Sequence, residues 1–386
     1  MSDEPFLPFA KPSISPEAIA EVVACLESGW ITTGPRTKKF ESMLAEYLGS
    51  SVAQCCSSAT AGLHMVLLGL DLKPGDEVIT SSMTFVATLN TIVLAGGKPV
   101  LVDVDPATYN LDLAAVEAAV TERTRAIIPV HFAGLSVDLD RLYGFALKKE
   151  LRVIEDAAHA IGSEYKGRKI GSFGDTQVFS FHPNKNMTTG EGGCITTRDE
   201  ALRRRVEQLR FHGIDREAWA RFGKQGSPHY DIATAGFKYN MMDMQAALGL
   251  HQLPALDGFI ARRTEFAKRY FELLDDVDAL ILPNPQSVPY DALHAWHLFA
   301  PVLDAEKAGM DRDTLIAKLK EHNIGTGIHY RAPHLSDYYE NEWGFRRGMF
   351  PQAERISDGI LSLPLFPTMT EGEQDRVVAA IRAVLG

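Results

Sequence analysis

Lys185 lies in Val178-Phe-Ser-Phe-His-Pro-Asn-Lys-Asn-Met-Thr-Thr-Gly-Glu-Gly-Gly193, where an apolar strand runs into a polar, glycine-rich loop. A second strand-like run, Cys194-Ile-Thr-Thr197, follows at once. Upstream, Val153-Ile-Glu-Asp-Ala-Ala158 is an apolar strand that ends in acid. A lysine and a carboxylate at two strand ends form the pair that pyridoxal phosphate (PLP) chemistry requires. The amine forms a Schiff base with the cofactor, and the carboxylate keeps the pyridine nitrogen protonated so that the ring accepts electrons. Asp156 is the candidate carboxylate, because Glu155 would point to the opposite face of the same strand. Read alone, Lys185 is equally a solvated loop lysine. Asp156 read alone is equally an N-cap for a helix starting at Ala157.

The remaining needs of such a cofactor also have candidates. An anion site for its phosphate is offered by Cys56-Ser-Ser-Ala-Thr-Ala61, where hydroxyls and small residues open a helix with free N–H groups. A plain serine N-cap explains the same residues. Ser180 adds a hydroxyl and is otherwise an alternating strand residue. Phe85, after Ser81-Ser-Met-Thr84, is a flat group that could cover the ring, or a core phenylalanine. His159 follows Asp156 closely enough to approach the ring oxygen, or is a hydrogen-bonded structural histidine. Gly190-Glu-Gly-Gly193 lacks the Gly-Lys-Ser/Thr of a P-loop, and no Gly-x-Gly-x-x-Gly follows the first strand. No His-Glu-x-x-His or Cys/His spacing suggests a metal.

These residues need elements to carry them. Between residues 55 and 200, short β-branched runs alternate with amphipathic segments. Strands are expected at Asp76–Thr80, Pro99–Asp103, Ala126–Val130 and Arg152–Glu155. Helices are expected at Thr60–Leu70, Val86–Ala95, Leu113–Val120 and Asp138–Lys149. The alternation predicts an α/β fold with a mainly parallel sheet covered on both faces, and ligands at the carboxyl ends of its strands. A helix from Leu256 to about Val277 would bridge to a smaller α/β domain, dividing the chain at 1–255 and 256–386. The last helix opens with a capping box at Thr370-Glu-Gly-Glu373.

The 386 residues suffice for two domains, and the net charge of −11 speaks against broad binding to nucleic acid or anionic membranes. Four cysteines, Cys25, Cys55, Cys56 and Cys194, read as buried apolar residues of a reduced, cytoplasmic protein. The start, Met1-Ser-Asp-Glu-Pro-Phe6, is acidic and shows no signal peptide. No run approaches the ~18 apolar residues of a membrane span.

Six blocks stand in a familiar order: Gly29-Trp-Ile-Thr-Thr-Gly-Pro35, Ser57-Ser-Ala-Thr-Ala61, Glu155-Asp-Ala-Ala158, Phe179-Ser-Phe-His-Pro-Asn-Lys-Asn186, Thr189-Gly-Glu-Gly-Gly193 and Phe237-Lys-Tyr-Asn240. With them the chain resembles, over essentially its whole length, the DegT/DnrJ/EryC1/StrS family of PLP-dependent sugar aminotransferases. The resemblance implies the fold type I, aspartate-aminotransferase-like architecture, as a homodimer with shared active sites. It implies that Lys185 bonds the cofactor and moves the proton, that Asp156 holds the pyridine nitrogen and that Phe85 stacks on the ring. Ala59, Thr60 and Ser180 would hold the phosphate, helped by Asn240 from the other subunit. His159 would stand near the ring oxygen, and His329, Thr33 and His182 would face the sugar.

Three positions depart from the family pattern. Ala59 replaces the usual glycine, Phe85 a tryptophan or tyrosine, and His159 a glutamine. A subgroup with histidine in place of the lysine dehydrates sugars, and Lys185 argues against it. The implied reaction moves an amino group from L-glutamate to a keto sugar on a nucleotide diphosphate. The Gly325–Tyr330 and Pro333–Tyr339 segments resemble members that aminate the sugar C4, including the UDP-4-amino-4-deoxy-L-arabinose type. The alternatives are C3 amination, a non-nucleotide keto sugar or cyclitol acceptor, or a PLP-binding regulatory protein without turnover.

Overall fold

The valine- and isoleucine-rich runs pair into one seven-stranded sheet in the computed structural model, which describes residues 4–214 and 229–386. The first three residues of the acidic start lie outside the described residues. The strands are β1 (Gln54–Cys56), β2 (Glu77–Ser81), β3 (Lys98–Val102), β4 (Thr124–Ile128) and β5 (Arg152–Asp156). After a small hairpin of β6 (Glu164–Tyr165) and β7 (Arg168–Lys169) come β8 (Thr176–Ser180) and β9 (Gly193–Thr197). Their order is β1-β9-β8-β5-β4-β2-β3. The pairs from β8 to β3 are parallel, while β9 runs antiparallel to β8 and β1.

Alternation of side chains splits each strand between two cores. Ile79, Ile127, Val153, Phe179 and Cys194 face Phe40, Leu44, Leu139 and Leu142. Their neighbours Val78, Ile128, Ile154, Val178 and Ile195 face Leu63, Val66 and Leu67 of the helix Ala59–Gly69. Burial on both faces is why these strands read as continuous apolar runs. All four cysteines are buried and free of disulfides.

The long helix differs from the sequence expectation. It spans Asp243–Leu274, starting well before Leu256, and it passes through Pro254. Proline removes one backbone donor and crowds the preceding turn. Leu253, Leu256 and Ile260 are buried in the sheet-side core, and this packing outweighs the local penalty. The helix start is itself anchored: the Asp243 carboxylate accepts from the Gly34 N–H at 2.8 Å and from the Thr37 N–H and hydroxyl at 2.9 and 2.8 Å. Farther along, Phe266, Ala267, Tyr270 and Leu274 enter a second core with Leu280, Leu315, Leu319, Val377 and Ile381. One helix thus serves both cores, and the division proposed at 255/256 falls inside it. The final helix, Glu371–Leu385, has the capping box expected at Thr370 and Glu373.

Candidate active site

Three strand ends deliver the chemistry to one place. β5 ends at Asp156, β8 ends at Ser180 shortly before Lys185, and the turn after β2 carries Thr84 and Phe85. With the helix start at Ser58, Ala59 and Thr60 they line a cavity of about 370 Å³, within the range of small-molecule sites. His159, His182 and His329 line it as well. Thr33 and Asn240 do not line it; they meet each other, the Asn240 amide donating to the Thr33 hydroxyl at 2.6 Å. The Lys238 ammonium in turn donates to Asn240 Oδ1 at 2.8 Å.

Asp156 is buried, and burial raises its carboxyl above the usual range. The hydroxyl of Thr88 donates to Oδ2 at 2.8 Å and the Ala158 N–H donates to Oδ1 at 3.2 Å, both favouring the anion. The expected capping bond thus exists as a local turn, but no helix follows Asp156. Glu155 faces away, bonded to His131, Tyr143 and Gln177 at 2.8, 2.6 and 2.6 Å. A buried carboxylate aimed into a cavity is costly without a cation, so the pair suits a protonated pyridine nitrogen.

Lys185 keeps some exposure through the cavity mouth, yet protein surrounds its ammonium group. Desolvation lowers its pKa to about 8, against the opposing pull of Asp156. Its amine lies 3.4 Å from Nε2 of the buried His297. The loop that holds it is pinned by side chains: the Asn186 amide donates to the Ala295 carbonyl at 2.7 Å and the Thr188 hydroxyl to the Phe181 carbonyl at 3.0 Å.

The phosphate end also has a structural test. Ser58 caps the helix by accepting from the Ala61 N–H at 3.1 Å. The N–H groups of Ala59 and Thr60 precede the first intrahelical bonds and are free for an anion. Strand β9 passes so close beneath this turn that a Cβ at Gly193 would stand 2.6 Å from the Ser58 carbonyl carbon and 2.7 Å from the Ala59 nitrogen. The missing side chain of Gly193 thus lets the strand approach the anion-binding turn. Amine, carboxylate and anion turn together fit PLP.

Sequence reasoning missed three contributors. Thr88 orients Asp156, and its signal was a pair of hydroxyls, Thr84 and Thr88, bonded at 2.9 Å in an otherwise apolar helix start. Tyr330 bonds Nε2 of His159 at 2.7 Å and packs near Phe85, with ring centres 5.5 Å apart. It sits beside His329, inside a segment already singled out. His297 has no spacing signal, because the second core brings it to Lys185 from far along the chain. Burial drives the pKa of His159 and His297 well below the ordinary value and that of His329 to about 3, with Lys185 adding to each shift. These rings are neutral at physiological pH.

The DegT/DnrJ/EryC1/StrS aminotransferase family model matches residues 12–382. The chain is 44% identical over 381 residues to the spore coat polysaccharide biosynthesis protein SpsC of Bacillus subtilis, covering 98% of this chain and 97% of that protein. Among solved structures, Spr1654 of Streptococcus pneumoniae, assigned as a sugar aminotransferase and solved in its PMP form, superposes with a TM-score of 0.90 at 33% identity over 98% of each chain. PseC of Helicobacter pylori, an aminotransferase of pseudoaminic acid biosynthesis, gives a TM-score of 0.91 at 26% identity over 98% of this chain and 99% of that one. The match over nearly the whole chain, with the lysine, the carboxylate and the anion turn around one cavity, shows that the protein belongs to the DegT/DnrJ/EryC1/StrS aminotransferase family of PLP-dependent enzymes.

Proposed function

We propose that the protein transfers an amino group from L-glutamate to a keto sugar carried on a nucleotide diphosphate, at the sugar C4. The observation that carries the reading is the convergence of Lys185, Asp156 and the Ala59–Thr60 turn on one cavity. That the chain resembles SpsC, a polysaccharide biosynthesis protein, and Spr1654, assigned as a sugar aminotransferase, supports a sugar as acceptor. Among the described residues no helix is long and apolar enough to cross a membrane, which is compatible with work in the cytoplasm.

When bound, PLP supplies an electron sink for the carbanion formed at the α-carbon of the amino donor. The protein does the rest. Asp156 accepts from the protonated pyridine nitrogen, and Thr88 keeps its carboxylate aimed. Ala59, Thr60 and Ser180 hold the phosphate through N–H and hydroxyl donors. Phe85 covers the ring at the cavity wall. Lys185 Nζ would take the proton from the donor α-carbon as a base and deliver it to the C4′ carbon of the cofactor as an acid, and in the second half-reaction would move a proton the opposite way, from C4′ to the acceptor carbon. A pKa near 8 lets one amine do both near neutral pH. His329, held by the Ser362 hydroxyl at 2.8 Å from its Nδ1, faces the acceptor together with His182. Thr33 and Asn240 act in the site of a second subunit.

The visible absorption of cofactor-saturated protein tests the reading. The band should bleach when L-glutamate is added and return when a nucleotide-linked 4-keto sugar follows. A spectrum unmoved by either addition would sink it.

A further inference from the structure

His159 is a neutral ring with both nitrogens engaged. Its Nδ1 lies 3.2 Å from the backbone N–H of Ala133, and its Nε2 lies 2.7 Å from the Tyr330 hydroxyl. A backbone N–H can only donate, so Nδ1 must accept and carries no proton. In a neutral imidazole the proton then sits on Nε2. Nε2–H therefore donates, and the Tyr330 oxygen accepts. A phenol that accepts here still has its own hydrogen to place. Tyr330 lines the cavity, and among the described residues its oxygen has no hydrogen-bond partner other than His159. The opposite orientation, Tyr330 donating to Nε2, would put a proton on Nδ1 and set two donors against each other at the Ala133 contact.

The residues around Tyr330 hold this arrangement. Its ring stacks on His159, with centres 5.8 Å apart and planes 24° apart, and meets Phe132 edge-on at 6.5 Å. Burial and the nearby Asp156 raise its pKa, so the hydroxyl stays protonated at any working pH.

We propose that Tyr330, oriented by His159, donates its hydroxyl hydrogen to the ring oxygen of the cofactor. His159 is then a positioning residue that acts through Tyr330, in place of the direct contact expected from its sequence position. The inference rests on the PLP reading of the cavity. It places the donor on the same short segment as His329, Gly327–Tyr330, so that one stretch of chain would read both cofactor and acceptor.

The test uses the apoprotein and two ligands: PLP, and the analogue in which the ring hydroxyl is replaced by hydrogen. Wild-type protein should bind PLP about tenfold more tightly than the analogue, as loss of one such hydrogen bond implies. Tyr330→Phe should bind both with equal affinity. A variant that keeps the wild-type preference would overturn the proposal, and so would a wild-type protein without any preference. Binding of neither compound would overturn the cofactor reading as well, which separates the two failures. A second measurement needs no variant fold: nitrogen NMR of the wild-type apoprotein should show His159 protonated at Nε2. Protonation at Nδ1 would refute the orientation.

Discussion

Lys185 and Asp156 work because each is denied something. Burial denies Lys185 the water that would stabilise its charge, and its hydrogen-bond partner, His297 Nε2 at 3.4 Å, belongs to a neutral ring. The amine is thus a free base at a pH where an ordinary lysine is almost wholly protonated. The sign of the pH dependence follows. Below about 8 the amine is protonated and inert toward an aldehyde. The rate at which apoprotein captures PLP should climb with pH and level off above that value, as followed by absorbance in stopped flow. A rate still climbing toward the ordinary lysine value of ~10.4 would show that desolvation does not set this pKa. Asp156 accepts hydrogen bonds from one hydroxyl and one N–H, and Lys185 and His131 add electrostatic support that does not offset its burial.

Elements set these residues by close approach. Gly193 lets β9 run beneath the turn at Ser58 and Ala59 with no room for a methyl group. Gly193→Ala should push that turn away and lower stability by ~1–3 kcal/mol, the usual cost of overpacking, seen in urea denaturation. Its affinity for PLP should fall, while affinity for pyridoxal, which lacks the phosphate, should hold. An equal loss for both ligands would move the effect away from the phosphate turn. The strands and helices expected between residues 55 and 200 were legible because one periodicity governs each: their observed limits lie within two residues of the expected ones. Lys185 and Asp156 were legible because each follows an apolar strand, and the Ser58 turn because hydroxyls and small residues open a helix. The start of the long helix was hidden, because Pro254 carries a local stop signal that tertiary packing overrides. Tyr330 and His297 were hidden for another reason: their roles arise from contacts across 171 and 112 positions of sequence.

At the scale of the whole molecule, the helix Asp243–Leu274 ties the sheet core to the second core. Buried Arg263 on that helix donates to the carbonyls of Trp296, His297 and Leu365 at 3.3, 3.2 and 2.9 Å. The second core thereby sets His297 against Lys185. The surface offers a further coupling. Ile19, Val23 and Leu26 stand exposed along the helix Pro16–Glu27, and Thr33 and Asn240 form a polar cluster that does not line this chain's own cavity. If the sites are shared between two copies, Lys185→Ala and Asn240→Ala in a mixed dimer fall in the same site and leave the other intact. Mixing the two weakly active variants after reversible dissociation should then restore about a quarter of wild-type activity, because half of the dimers are mixed and each has one intact site. No recovery in dimers shown by mass to be mixed would mean that Asn240 serves the site of its own chain.

Every step of the assigned chemistry depends on Lys185, and one measurement addresses that residue directly. Cofactor-saturated protein is reduced with borohydride, digested and mapped by mass spectrometry. The pyridoxyl group should appear on the peptide that holds Lys185, and L-glutamate added before the borohydride should abolish that labelling. Labelling of another lysine, or labelling of Lys185 that L-glutamate leaves unchanged, would contradict the assignment.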